Sequence, residues 1–122
     1  MSDNAAVVLR RGAVVLVSFD PATGSEAAKV RPAVIVSNNT ANAAAARAAG
    51  VVTVVPLSSN VERVYPFQVL LPAAATGLSR DSKAQAEQLR SVSVSRIQGP
   101  AGWLTTDLMR ELDDAVRLHL AL

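Results

Sequence analysis

The sequence FDPATGSEAAKVRPAVIVSN, residues 19–38, decides the fold of this chain. The dipeptides DP and GS are turn signals, and Arg31 with Pro32 then opens an apolar run over residues 33–36. Because a proline biases the residue before it to an extended backbone, we expect Arg31 at the start of a strand, beside a polar loop. A guanidinium in that place can bind an anion in a fixed geometry. An arginine at the start of a strand is, however, more often a solvated surface residue.

Size and composition indicate one small domain over residues 1–122, with residues 1–10 as a loose arm. The absence of cysteine excludes a disulfide framework and a thiolate metal site. The net charge of +2 is compatible with RNA but does not single out a nucleic-acid binder. No apolar run approaches the roughly 18 residues of a membrane span, and the N-terminus lacks a secretory signal, so we expect a cytoplasmic protein without a membrane partner.

Hydrophobic patterning predicts several short strands and a terminal helix, which favours a compact barrel with helical additions. The last helix has a threonine cap, an aspartate in its first turn and one apolar face that includes His119. The predicted strands are residues 13–19, 31–37, 51–57, 66–71, 82–90 and 90–94, and the predicted helices are residues 38–47 and 105–120.

Residues 82–90 carry conflicting signals. Their composition is that of a helix, whereas polar and apolar residues alternate as in a strand. The prediction of a strand follows the family resemblance described next.

The segments DPATGSEAAKVRPAVIVSN, VVTVVPLSSN, YPFQVLL and GLSRDSKAQAEQLRSV, in this order and spacing, resemble the MazF/PemK/Kid family of toxin endoribonucleases. The resemblance covers roughly residues 10–122. It implies a mainly β fold with helices, an SH3-like small β-barrel of the CcdB/Kid/MazF type with a C-terminal helix. It also implies a homodimer, a single-stranded RNA substrate, and a MazE-like antitoxin whose C-terminal tail covers the RNA groove.

The resemblance assigns catalysis to Arg31 and to a hydroxyl just after the third strand, which is Ser58 where the family usually has threonine. In such a reaction the RNA 2′-hydroxyl attacks the neighbouring phosphorus, leaving a cyclic phosphate and a 5′-hydroxyl. A guanidinium is a poor base but stabilises the developing charge well. Glu26 is therefore the best candidate for proton handling, although a surface ion pair with Lys29 or Arg31 is about as plausible. The single histidine, His119, fits a packing or helix-end role better.

Further polar and aromatic side chains are candidates for RNA binding. Lysine contacts to phosphate would supply affinity, amide edges could read unpaired bases, and Tyr65 is the best stacking platform, whereas Phe19 and Phe67 resemble core residues. For each amide a structural or solvated role is the more common one. The predicted RNA-binding residues are Ser25, Lys29, Ser59, Asn60, Tyr65, Gln85 and Gln88.

No metal or other cofactor is expected. The carboxylates are scattered, with no paired pattern that would hold two metals, and no glycine-rich phosphate loop is present.

Two alternatives remain at this point. One is a CcdB-like gyrase poison that acts by protein contact, and the retained Arg31, Ser58 and GSE loop argue against it. The other is a degenerate relative that binds RNA or antitoxin without cutting. Ala13 and Val15, where the family usually has an acidic residue and an aromatic, keep this alternative open together with Ser58.

Overall fold

A computed structural model describes residues 9–19 and 30–122 of the chain. Its centre is an antiparallel meander of three apolar strands. β1 (Ala13–Ser18) pairs with β2 (Val30–Ile35), and β2 pairs with β3 (Val51–Ser58). The chain continues through β4 (Gln68–Leu71), α2 (Ala73–Thr76), β5 (Ser82–Gln85), β6 (Arg90–Ser93), β7 (Ile97–Trp103) and α3 (Thr106–Leu120), while α1 (Asn39–Ala48) lies between β2 and β3.

The seven described strands form an antiparallel sheet in the order β4-β5-β3-β2-β1-β7, with β6 pairing beside β5 along β3. Among the described strands β4 and β7 do not pair with each other, so the sheet is not closed into a complete barrel. The predicted mainly β architecture with a C-terminal helix is confirmed.

The central strands read as continuous apolar runs because the sheet is covered on both faces. Val14 and Val34 belong to one buried cluster, which includes Leu112 of α3. Their chain neighbours Val15 and Ala33 belong to a second cluster on the other side of the sheet. Burying alternate residues in two clusters fixes the strand register, since a slip of one residue would exchange the two sets.

The C-terminal helix is confirmed, with Thr105 as its N-cap; the Thr105 hydroxyl accepts a hydrogen bond from the Leu108 amide at 3.2 Å. The helix packs on β4 and on the short 3₁₀ turn after β5. His119 is exposed in the last turn, and its ring centroid lies 6.3 Å from that of Phe67. His119 therefore lies at the helix end as expected, but the prediction that it belongs to the apolar face is wrong, because its side chain is exposed.

The prediction of a single strand over residues 82–90 is only half right. β5 ends at Gln85, a 3₁₀ turn covers Ala86–Gln88, and β6 begins at Arg90. The turn is needed because β5 and β6 pair with different parts of one strand, the end and the beginning of β3. Pro56, which has no amide hydrogen to donate, lies at the break between these two partners.

The sequence analysis did not predict two of the elements, β7 and α2. β7 (Ile97–Trp103) contains two glycines and a proline, which disfavour a strand, but it runs along the outside of β1 with two register irregularities. The four-residue helix α2 lies in the segment expected to be a loop. None of the helices in the described part of the chain combines the length and hydropathy needed to cross a bilayer.

Candidate active site

Arg31 is the second residue of β2 and is half-buried. Its Nη2 atom donates hydrogen bonds to the Leu57 carbonyl oxygen at 2.8 Å and to Gln85 Oε1 at 3.2 Å. These two bonds, to the ends of β3 and β5, fix the plane of the guanidinium. Nη1 and Nε donate to no other described residue, so three N–H groups of the planar fork are free to bind an anion.

Ser58 ends β3 and is half-buried. Its Oγ atom accepts a hydrogen bond from the Asn60 backbone amide at 3.1 Å. Because this bond uses a lone pair, the hydroxyl hydrogen stays available for donation. The turn that follows β3 thus holds the serine oxygen in place without consuming its donor.

Arg31 and Ser58 meet in one open cavity of about 340 Å³. The described residues around it supply two guanidinium groups and four serine hydroxyls but no carboxylate, so the cavity favours an anion. Its lining is Arg31, Pro32, Leu57, Ser58, Ser59, Leu78, Ser79, Arg80 and Ser82.

Sequence reasoning missed the contribution of residues 78–82 to this cavity. Ser79, Arg80 and Ser82 come from the connection between α2 and β5, which folds back beside the end of β3. In the sequence, the segment GLSRDS contributes to the family resemblance and is not predicted to form part of the site. Its density of hydroxyl and cationic side chains directly before a strand was the available signal.

The predicted RNA-binding residues separate into three groups. Ser59 lines the cavity, and Gln85 contacts Arg31 there through its amide oxygen. The Asn60 backbone amide donates to Ser58 Oγ, so Asn60 lies next to the cavity. Its Oδ1 atom accepts a hydrogen bond from the Glu62 amide at 3.2 Å.

Tyr65 and Gln88 are exposed and do not line the cavity. Tyr65 stacks on Phe67, with ring centroids 5.5 Å apart, and Phe67 is only half-buried, so its prediction as a core residue is wrong. Phe19 is buried as predicted. Ser25, Glu26 and Lys29 lie outside the described residues.

Buried polar side chains anchor the loop that follows Ser58. Lys83, on β5 opposite Ser58, donates through Nζ to the Arg63 carbonyl oxygen at 2.8 Å. Gln68 accepts from the Tyr65 amide at 3.1 Å and donates to Glu87 Oε2 at 2.8 Å. These bonds hold the loop against β5 and the 3₁₀ turn that follows it, and polar residues inside strands were the available sign of them in the sequence.

The described residues contain no group of three or more histidine, cysteine, aspartate or glutamate side chains placed to hold a metal ion. The groups that the cavity does offer, guanidinium and hydroxyl, are hydrogen-bond donors suited to phosphate.

Comparison with known proteins identifies the family. Residues 10–120 match the family described as PemK-like, MazF-like toxin of type II toxin-antitoxin system. The chain belongs to this family. It is 53% identical over 116 residues to endoribonuclease MazF9 of Mycobacterium tuberculosis, covering 94% of this chain and 98% of the relative. It is also 44% identical over 95 residues to probable endoribonuclease MazF1 of the same organism, covering 77% and 87%.

Solved structures of MazF toxins share the fold. MazF from Deinococcus radiodurans superposes with a TM-score of 0.72 at 26% identity, over 93% of this chain and 96% of that one. A mycobacterial endoribonuclease in complex with its cognate antitoxin gives the same TM-score at 22% identity, over 94% and 97%. The predicted family is thereby confirmed.

Proposed function

We propose that this chain is the toxin of a type II toxin–antitoxin pair, a sequence-selective, metal-independent endoribonuclease that cuts single-stranded RNA without the ribosome. The observation that carries the proposal is the position of Arg31 and Ser58 in one anion-favouring cavity. The endoribonuclease name of a relative 53% identical over nearly the whole chain supports it.

The cavity supplies the electrostatic part of RNA cleavage. The 2′-oxygen forms a bond to phosphorus while the bond from phosphorus to the 5′-oxygen breaks, leaving a 2′,3′-cyclic phosphate and a 5′-hydroxyl. The free N–H groups of Arg31 bind the phosphoryl oxygens as negative charge builds on them, and the Ser58 hydroxyl donates a further hydrogen bond. Bonds to Leu57 and Gln85 hold the guanidinium in orientation before the substrate arrives.

Proton transfer is assigned from the sequence. Glu26 is the carboxylate nearest to Arg31 along the chain, and we propose that it accepts the proton of the 2′-hydroxyl. The 5′-oxygen that leaves takes up a proton from water. No metal ion or organic cofactor is needed for this reaction.

The same proposal includes the partners of the toxin. The similar mycobacterial structure contains a cognate antitoxin, which supports an antitoxin partner for this chain. We propose that the C-terminal tail of a MazE-like antitoxin covers the RNA groove, since a disordered tail that folds on binding can wrap a long surface. We further propose a single-domain toxin, active as a homodimer in the cytoplasm.

The test is cleavage of a long RNA in EDTA by the purified protein and by Arg31→Ala, followed by mapping of the new ends. The parent protein is expected to give discrete cuts with cyclic phosphates. Arg31→Ala should lose cleavage at least about a hundredfold, because removing one donor that stabilises the transition state costs this much or more. Arg110→Ala, an exposed arginine of α3, is the matched control and should cut normally.

Circular dichroism and the dimer mass of Arg31→Ala are expected to match the parent. Cleavage by Arg31→Ala at the parent rate would remove the catalytic assignment. Intact RNA with the parent protein would refute the nuclease function, and gyrase supercoiling would then be assayed.

A further inference from the structure

Arg80 is a second guanidinium in the cavity that holds Arg31, and the reaction derived above makes no use of it. Its side chain is exposed and makes no hydrogen bond or salt bridge with another described residue. Arg11, by contrast, pairs with Asp113, and Arg96 donates to the carbonyl oxygens of Ser18, the last residue of β1, and of Phe19. No described residue therefore accepts a hydrogen bond from Arg80, whose donors lie beside a cavity that favours anions.

The backbone that carries Arg80 is fixed from both sides. The Thr76 hydroxyl donates to the Pro72 carbonyl at 2.8 Å, and Asp81 Oδ1 accepts from the Ala73 amide at 2.8 Å. The Ser82 hydroxyl donates to the carbonyl oxygen of Arg80 itself at 3.2 Å. The segment therefore presents Arg80 from a preformed loop, which lowers the entropy lost when a ligand binds.

Two glycines dock this segment against β7. Gly77 has φ +76°, and a Cβ there would lie 2.7 Å from the Trp103 ring. A Cβ on Gly102 would overlap the Thr76 carbonyl oxygen. Because neither position has room for a side chain, α2 and the strand approach as closely as their backbones allow. The close approach sets the position of the loop and hence of Arg80.

We propose that Arg80 is a second phosphate-binding residue of the cavity, which holds a backbone phosphate of the RNA next to the one bound by Arg31. This inference rests on the nuclease function proposed above. Two guanidiniums with no carboxylate among the described lining residues favour a ligand that carries more than one negative charge, and an RNA strand with consecutive phosphates is such a ligand. A contact to a neighbouring phosphate strengthens RNA binding and positions the strand, whereas Arg31 accelerates the cleavage step.

The experiment measures RNA binding separately from cleavage. A fluorescent single strand of mixed sequence, with 2′-fluoro groups in place of the attacking hydroxyls, is titrated with the full-length protein over a series of salt concentrations. For Arg80→Gln we expect about fivefold weaker binding, as for one exposed charge pair, and a salt slope smaller by about 0.7. Arg80→Lys should keep the slope. Arg47→Gln, an exposed arginine of α1, is the matched control and should change neither quantity.

With cleavable RNA, Arg80→Gln should raise KM with little change in kcat and with the same cut positions. If Arg80→Gln binds RNA with the same affinity and the same salt slope as the parent protein, the inference is wrong. The nuclease function stands in that case if the parent protein still cuts. If the parent protein binds RNA without cutting it, and the salt slope of Arg80→Gln is still smaller than that of the parent, the nuclease function is refuted and the phosphate contact of Arg80 is retained. A parent that neither binds nor cuts would overturn both.

Discussion

Replacement of Gln85 by alanine distinguishes two roles for this side chain. From the sequence, Gln85 is a candidate for reading a base. In the structure its Oε1 atom accepts a hydrogen bond from Arg31 Nη2. If the amide orients Arg31, Gln85→Ala should lower the rate of the chemical step and leave the cut sequence unchanged.

The size of the effect follows from the two bonds of Nη2. A hydrogen bond from a charged donor contributes about 1.5–3 kcal/mol. The distance to Gln85 is 3.2 Å, at the long end of the usual range, and the bond to the Leu57 carbonyl at 2.8 Å survives the substitution. We therefore take the lower value of about 1.5 kcal/mol, which corresponds to roughly a tenfold loss of rate.

The assay is single-turnover cleavage of one RNA that contains a mapped site, with the new ends sequenced for both proteins. Gln98→Ala is the matched control, since Gln98 is an exposed glutamine on β7 away from the cavity. It should cut at the parent rate. The midpoint of thermal unfolding of Gln85→Ala should lie close to that of the parent protein.

Either of two results would refute this reasoning. If Gln85→Ala cuts as fast as the parent at the same sites, the bond to Arg31 contributes nothing to the chemistry. If it cuts at new sequences with an undiminished rate, Gln85 reads a base and does not orient Arg31.

Two further substitutions test the hydroxyl and the loop. Ser58→Ala should lower kcat about a hundredfold, while Ser58→Thr, which restores the hydroxyl, should stay near the parent kcat. Ser59→Ala changes a candidate for RNA binding and should therefore alter KM more than kcat. Equal kcat values for Ser58→Ala and the parent would contradict a donor role. Gly102→Ala places a Cβ against the backbone carbonyl that ends α2, so urea unfolding should show a loss of about 1–3 kcal/mol in the free energy of unfolding. Gly99→Ala on the same strand, where a Cβ meets nothing within 4 Å, is the control, and an equal loss in both variants would rule out the proposed steric cause.

The strands with strong apolar patterns and the capped terminal helix were predictable from the chain alone. β-Branched runs such as residues 51–55 and a threonine cap followed by a periodic apolar face depend on local chemistry, which neighbouring residues supply. β7 was not predictable, because its glycines and proline oppose a strand locally. Pairing with β1 outweighs that preference only once the sheet exists.

The candidate site, like the fold, was predictable in part from the chain alone. The sequence by itself determined that Arg31 lies near the start of an apolar strand and that Ser58 lies where the third strand ends, because both positions are defined by local signals. Only the tertiary structure decided that Arg31 is held by the Leu57 carbonyl and Gln85, and that Arg80 joins it in one cavity. These contacts join residues 26 to 54 positions apart in the chain, so they exist only after β2, β3 and β5 have packed side by side.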